Sequence, residues 1–160
     1  MKISKILVTS LMTAMVLSAC VGVSQQHKQE SVTPTAEQSA LVVYRVQDNK
    51  PEAVTVTVNG EYLTSLQSGA YKEQILCTPN AVVNANYVGR DLTYNLKNNA
   101  KEAQVAKLTK QQVSYIKLDT SRAGKPFFVG VTEEQAKAEL KGLKQQSNTI
   151  SRVSSACVAN

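Results

Sequence analysis

Apolar and polar residues alternate along much of residues 41–131, in short runs that end at turn signals. Residues 53–58 (AVTVTV) show the pattern most simply, with valine and threonine on opposite faces of a half-buried strand. Asn59-Gly60 follows, and this pair suits the positive φ angles of a two-residue type I′ hairpin turn. Such a turn places Val56 opposite Leu63 and Thr57 opposite Tyr62, with Glu61 beside Val58 at the hairpin end. Residues 41–46 (LVVYRV) predict a strand before the hairpin, and residues 71–77 (YKEQILC) one after the Ser68-Gly69 turn. Thr78-Pro79-Asn80 ends that run. Residues 81–87 set Ala81, Val83, Ala85 and Tyr87 on one face, with Asn84 and Asn86 on the other. Further strands are expected where Leu92, Tyr94 and Leu96 alternate, over 102–108, over 112–118 with Val113, Ile116 and Leu118, and over 126–131 (PFFVGV).

The period then changes. Thr132 followed by Gln135 forms a capping box, and Glu133 and Glu134 favour the positive end of a helix dipole. Ala136, Leu140 and Leu143 fall at helical spacing, with Lys137, Lys141 and Lys144 in the body and last turn, so about three turns of helix are expected. Residues 150–153 (ISRV) read as a short strand ahead of Cys157. The fold class is mainly β: a small antiparallel β-sandwich over residues 41–160 with one C-terminal helix.

The first 40 residues follow other rules. Lys2 and Lys5 precede an apolar run, ILVTSLMTAMVL, which ends in Leu17-Ser18-Ala19-Cys20. A basic start, a short apolar stretch and small residues at a cleavage point make a secretory signal peptide, assigned to residues 1–19. The run is too short for a membrane-spanning helix, which needs about 20 apolar residues. Leu-Ser-Ala-Cys resembles the lipobox of bacterial lipoproteins. The resemblance implies that Cys20 becomes the acylated first residue of the mature chain, anchored in membrane lipid. Residues 20–40 are rich in Ser, Gln, Thr and Glu and hold no aromatic side chain, so they read as a flexible tether. His27, the sole histidine, lies in it.

Three cysteines are an odd number for an exported protein until Cys20 is given to lipid. The remaining pair, Cys77 and Cys157, is expected to form a disulfide in an oxidising compartment, two buried free thiols being the competing reading. The bridge closes a loop of about 80 residues and is worth about 4 kcal/mol in the chain-entropy treatment. Removing Lys2 and Lys5 with the signal lowers the formal charge from +6 to about +4, and the remaining cations are scattered. Without a basic stripe, no nucleic-acid partner is expected.

Little catalytic chemistry is legible. A nucleophile–histidine pair needs a histidine within the fold, and residues 41–160 contain none. The carboxylates Asp48, Glu52, Glu61, Glu73, Asp91, Glu102 and Asp119 fall at turns or on polar faces, so a hydrolase is the weakest reading. No metal-ligand cluster, phosphate loop or cofactor motif is present, and neither metal nor cofactor is expected. Strand tyrosines offer contact area with a polar tip. Tyr62 and Tyr94, with one ring of Phe127-Phe128, here assigned to Phe128, are the candidate binding surface.

The alternating valines, Val-Asn-Gly and the Ser-Gly turn over 41–87 resemble small sandwich modules of the PEGA or DUF2846 kind. The late Glu-Glu helix, Ile-Ser-Arg-Val and terminal cysteine make 41–157 similar to the N-terminal module of OmpA-type outer-membrane lipoproteins. The resemblance implies a non-enzymatic envelope accessory or assembly component with a protein partner, in a secretion, adhesin or surface-appendage system. Val21 after the cysteine, rather than Asp, resembles the signal for transfer to the outer membrane, with the domain expected to face the periplasm. The alternative expectation is a cell-wall or glycan-binding module working through exposed tyrosines.

Overall fold

A computed structural model describes residues 32–88, 103–122 and 124–157. The chain divides into Met1–Glu30 and Ser31–Asn160, and the described residues belong to the second unit. They form a mainly β domain of two sheets with a single helix near the C-terminus. The strands are β1 (Ser39–Arg45), β2 (Val54–Val58), β3 (Glu61–Leu66), β4 (Ala70–Leu76), β5 (Asn80–Tyr87), β6 (Gln104–Lys107), β7 (Val113–Asp119), β8 (Phe127–Gly130) and β9 (Lys144–Gln145). The helix, α1, spans Glu133–Leu140.

One sheet runs β8-β7-β1-β4-β9 and the other β3-β2-β5-β6. The second is antiparallel throughout, whereas β1 pairs with β7 and β4 with β9 in parallel. Between the sheets lies one apolar cluster. It takes Leu41, Val43, Leu76, Ile116, Leu118 and Phe128 from the first sheet, and Val54, Val56, Val58, Leu63, Leu66, Ala81, Val83 and Ala85 from the second. Each such valine or leucine contributes about 1.5–3 kcal/mol on leaving water. The first sheet is also covered on its outer face, where Val42, Tyr44 and Tyr71 form one cluster with Ala136 of α1. Strand β1 is therefore central and buried on both faces over its whole length, which is why 41–46 reads as a continuous apolar run rather than an alternation.

Asn59 and Gly60 adopt φ of 53° and 83°, as the hairpin turn requires. Thr57 faces Tyr62 and Val58 faces Glu61, as expected. Val56 instead faces Thr64, because the register shifts between Val56 and Thr57. Leu63 is the extra residue of this β-bulge, so Leu63 and Thr64 are both buried in succession.

Other boundaries differ in instructive ways. Strand β1 begins at Ser39, and residues 32–38, expected in the tether, lie against the domain. Pro34 is buried, Gln38 N–H donates to the Thr35 carbonyl and Gln111 N–H to the Gln38 carbonyl. Val113 lies on the helix side of β7, opposite Ile116 and Leu118. Helix α1 is shorter than three turns, because Gly142 takes φ of +89° just beyond its last turn. The chain then enters β9, so Lys144 is a strand residue while Leu143 still packs with Leu140 under the helix. Half of the capping box forms: Thr132 Oγ1 accepts from Gln135 N–H at 3.2 Å, but the Gln135 side chain donates to Glu139. Residues 150–153 form no strand, and the strand expected at Leu92, Tyr94 and Leu96 lies outside the described residues.

Candidate functional site

The two long sides of the sandwich are built differently. On the side where β3 ends one sheet and β4 runs on beyond the two-residue β9 in the other, the C-terminal residues 146–157 run along the opening as a strap. Gln146 N–H donates to the Tyr71 carbonyl at 2.8 Å, and Arg152 N–H to the Tyr62 carbonyl at 2.8 Å. Thr149 and Thr64 share a hydroxyl hydrogen bond at 2.7 Å. Lys72 and Gln74 project from β4 toward the inter-sheet space, because Ala70 and Leu76, at the same phase, belong to the main core. Lys72 Nζ donates to the carbonyls of Gln146 (3.1 Å) and Thr149 (2.9 Å), and Gln74 Nε2 to that of Val153 (3.3 Å). Burial lowers the Lys72 pKa. Val153 packs against the main core. The strap thus bonds both sheets, and a disulfide between Cys77 and Cys157 fixes its end, with Cα atoms 5.2 Å apart. Both cysteines are exposed.

On the other side β5 and β8 approach one another. A cleft of about 330 Å³ lies between them, lined by the Phe127 and Phe128 segment, Val83, Asn84, Gln104, Arg122 and Lys125 among others. The Gln104 amide spans the gap: its Nε2 donates to the Phe128 carbonyl at 2.9 Å and its Oε1 accepts from Phe128 N–H at 2.7 Å. One side chain thereby supplies what a neighbouring strand's backbone would. The Arg122 guanidinium sits 4.3 Å from the centre of the Phe127 ring, a cation–π contact. Burial lowers the Lys125 pKa. Cations, an aromatic face and planar amides together can hold a polar or anionic small molecule.

A polar hub ties the two sides together at one end. Arg45, 1% exposed, forks onto Asp48 with two 2.7 Å bonds and donates to the carbonyls of Glu52 and Lys50. Asp48 also accepts from Thr120 Oγ1 and from Lys50 N–H, while its own N–H donates to Ser68 Oγ. Burial raises the Asp48 pKa, but the hydrogen bonds from Arg45, Thr120 and Lys50 outweigh it and hold the group at about 2. Gly69, at φ +73°, sits so close to Gln47 that a Cβ there would lie 2.3 Å from its Oε1.

The sheltered carboxylates are mostly engaged in structure. Glu139 accepts from Tyr44 Oη at 2.8 Å and from Lys117 Nζ and Gln135 Nε2 at 3.0 Å, pinning α1 to the sheet. Burial, helped by Glu139, raises the Tyr44 pKa. Glu73 is the exception, and the sequence pattern missed it. It stands on β4 in register with Val42, which pairs with Tyr115 on its other side. Its Oε2 is buried without a partner, and burial raises its pKa despite a hydrogen bond from the Val32 backbone. A single glutamate within an alternating strand carries no sequence signal that separates it from a solvated one.

Of the residues expected to act at a surface, Tyr62 is half-buried on β3 and bonds Ser65 Oγ at 2.9 Å. Phe128 is 6% exposed and belongs to the core. The outward ring of the pair is Phe127, because β8 turns Phe128 toward Leu118 and the second sheet. Tyr94, Cys20 and His27 lie outside the described residues. Tyr44 and Tyr71 are fully buried, so the structure brings no row of exposed tyrosines together among the described residues. Among those residues no group of three or more His, Cys, Asp or Glu side chains stands close enough to hold a metal ion, and no helix is long and apolar enough to cross a membrane. The chain matches no protein-family model, no curated protein and no solved structure.

Proposed function

We propose that this chain is an exported lipoprotein of the outer membrane, held by acylated Cys20, whose sandwich serves as a non-enzymatic accessory or assembly component of an envelope complex. The observation that carries the reading is the lipobox at residues 17–20 taken with the cysteine count. Cys77 and Cys157 pair with each other, which leaves Cys20 as the thiol for lipid. Disulfides persist in oxidising compartments, which agrees with export. The best-sheltered salt-bridged carboxylates, Asp48 and Glu139, fasten a loop and a helix, which suits a binding scaffold better than a hydrolase. The expected partner is another envelope protein met on the periplasmic side.

A second reading, a cell-wall or glycan-binding module, draws on the cleft. An aromatic face at Phe127 beside the amides of Gln104 and Asn84 is chemistry that suits a saccharide. Metabolic labelling with a fatty-acid analogue and membrane fractionation test the main reading. Wild type should carry label and sediment with outer membranes, and Cys20→Ser should lose both. Unlabelled wild type, or a Cys20→Ser variant that stays lipidated, overturns it. Retention of the protein on purified cell-wall polymer, abolished by Gln104→Ala, would favour the glycan reading instead.

A further inference from the structure

We propose that the strap over residues 146–157 is a releasable cover, latched by the Cys77–Cys157 disulfide, and that the opening beneath it is a docking groove for an extended peptide segment. The reasoning does not depend on the lipid anchor. It begins with what the strap leaves behind when lifted. Lys72 and Gln74 point into the mouth of the sandwich and donate to strap carbonyls, Lys72 to Gln146 and Thr149 and Gln74 to Val153, the Gln74 amide also donating to the Ile75 carbonyl of its own strand. The Tyr62 carbonyl, on the free edge of β3, accepts from Arg152 N–H. Val153, partly buried, packs against the main core beside these polar contacts.

This is the chemistry of strand-edge peptide recognition carried out within one chain. Backbone groups satisfy an edge strand, side-chain donors grip carbonyls, and one aliphatic residue anchors the segment. The groove reads backbone and one β-branched side chain, so its occupant is defined: an extended peptide with a valine-like residue. The strap itself is the first example.

The latch is placed to open. Both sulfurs belong to exposed residues at the end of the segment that they hold. Exposed disulfides are the ones that thiol exchange reaches. Between buried Gln146 and the disulfide, the strap is tied down by hydrogen bonds and by Val153, and Ile150 within it is 88% exposed. Such a segment belongs to the low-stability end of a fold. The reductant is a dithiol of the oxidoreductase class. Its first thiolate attacks one cysteine sulfur, forming a mixed disulfide and expelling the other cysteine as thiolate. Its second thiol resolves the mixed disulfide. The protein gains two electrons and two protons, and the dithiol leaves as a disulfide.

Hydrogen–deuterium exchange on the full-length protein, oxidised and after dithiothreitol, tests the latch, with Cys157→Ser as a non-reductive control. A fluorescein-labelled peptide spanning 146–157 and carrying Cys157→Ser tests the groove by fluorescence anisotropy. Reduction and Cys157→Ser should each raise exchange in the strap and at the β3 edge at least tenfold more than in β1 and β7, whose exchange follows the global stability. The peptide should bind both open forms and bind the oxidised protein at least tenfold more weakly. Unchanged strap protection after reduction overturns the latch. A rise across β1 and β7 as large as that in the strap overturns it too, because the disulfide then acts only as a staple of the whole fold. Equal peptide binding to open and oxidised forms, or none to either, overturns the groove.

Discussion

The two long sides of this sandwich solve one problem by opposite means. Each must finish two sheets whose edge strands carry unpaired backbone groups and whose apolar interior stands open. At β3 and β4 the chain spends a whole segment, with hydrogen bonds to both sheets, an inserted valine and a disulfide. At β6 and β8 it spends one glutamine, Gln104 of β6, whose amide pairs with the Phe128 backbone and leaves a cleft beside it. A covalently closed side can be sealed without side chains of great apolar mass. A side closed by one amide keeps a cavity, and with it a capacity to bind.

The largest expected effect comes from cutting the closed side. Cys77→Ser with Cys157→Ser frees a loop of 80 residues in the unfolded chain and should cost about 4 kcal/mol of global stability. Urea unfolding followed by circular dichroism measures it, and a change below about 1 kcal/mol would remove the asymmetry between the sides. Because Lys72 loses its carbonyl acceptors when the strap lifts, its neighbourhood should loosen before β1 does.

The Arg45–Asp48 hub offers the next test, since it touches both sides through Ser68 and Thr120. Arg45→Met strands the Asp48 carboxylate and the carbonyls of Lys50 and Glu52, at a cost of about 3 kcal/mol. Acid should act on the same hub more gently. The folded pKa of Asp48, about 2, lies below its ordinary value of 3.8. Its charge therefore stabilises the fold at pH above about 4, and that contribution fades as pH falls toward 2. The loss is about 2 kcal/mol. Asp48→Asn should flatten this part of the pH–stability curve. An unchanged acid limb in Asp48→Asn would mean that the two sides are not joined through this carboxylate.

How much of this was legible in the sequence depended on how local the cause was. The Asn59-Gly60 turn, the Thr132 cap and the alternation of 54–58 rest on neighbouring residues, and each stands where the pattern put it. The pairing of Cys77 with Cys157 followed from a count. The bulge at Leu63 was not read from the alternation, although Leu63 and Leu66, three positions apart, can both face the core only if the register slips between them. Residues 146–153 look like a weak strand or a polar tail, and their bonds run to Tyr62, Thr64, Lys72 and Gln74, over seventy positions away. Phe127 and Phe128 alternate faces on either reading, so which ring is buried depends on which sheet lies opposite. Gln104 carried no signal at all, since an amide that mimics a strand looks like any solvated glutamine.

The smallest effect is the most specific test of the open side. Gln104→Ala removes one donor and one acceptor from the Phe128 backbone and should cost about 1 kcal/mol, since solvent can reach the cleft and take over the bonds. Gln104→Glu separates the two bonds. A carboxylate still accepts from Phe128 N–H but cannot donate to the Phe128 carbonyl. Exchange at the Phe128 amide should therefore rise at least tenfold in Gln104→Ala and remain near wild type in Gln104→Glu. Equal exchange in all three proteins would mean that β8 is held by Leu118 and β7 alone. The open side would then be a plain sheet edge rather than one closed by a side chain, and the cleft beside it would have no fixed wall.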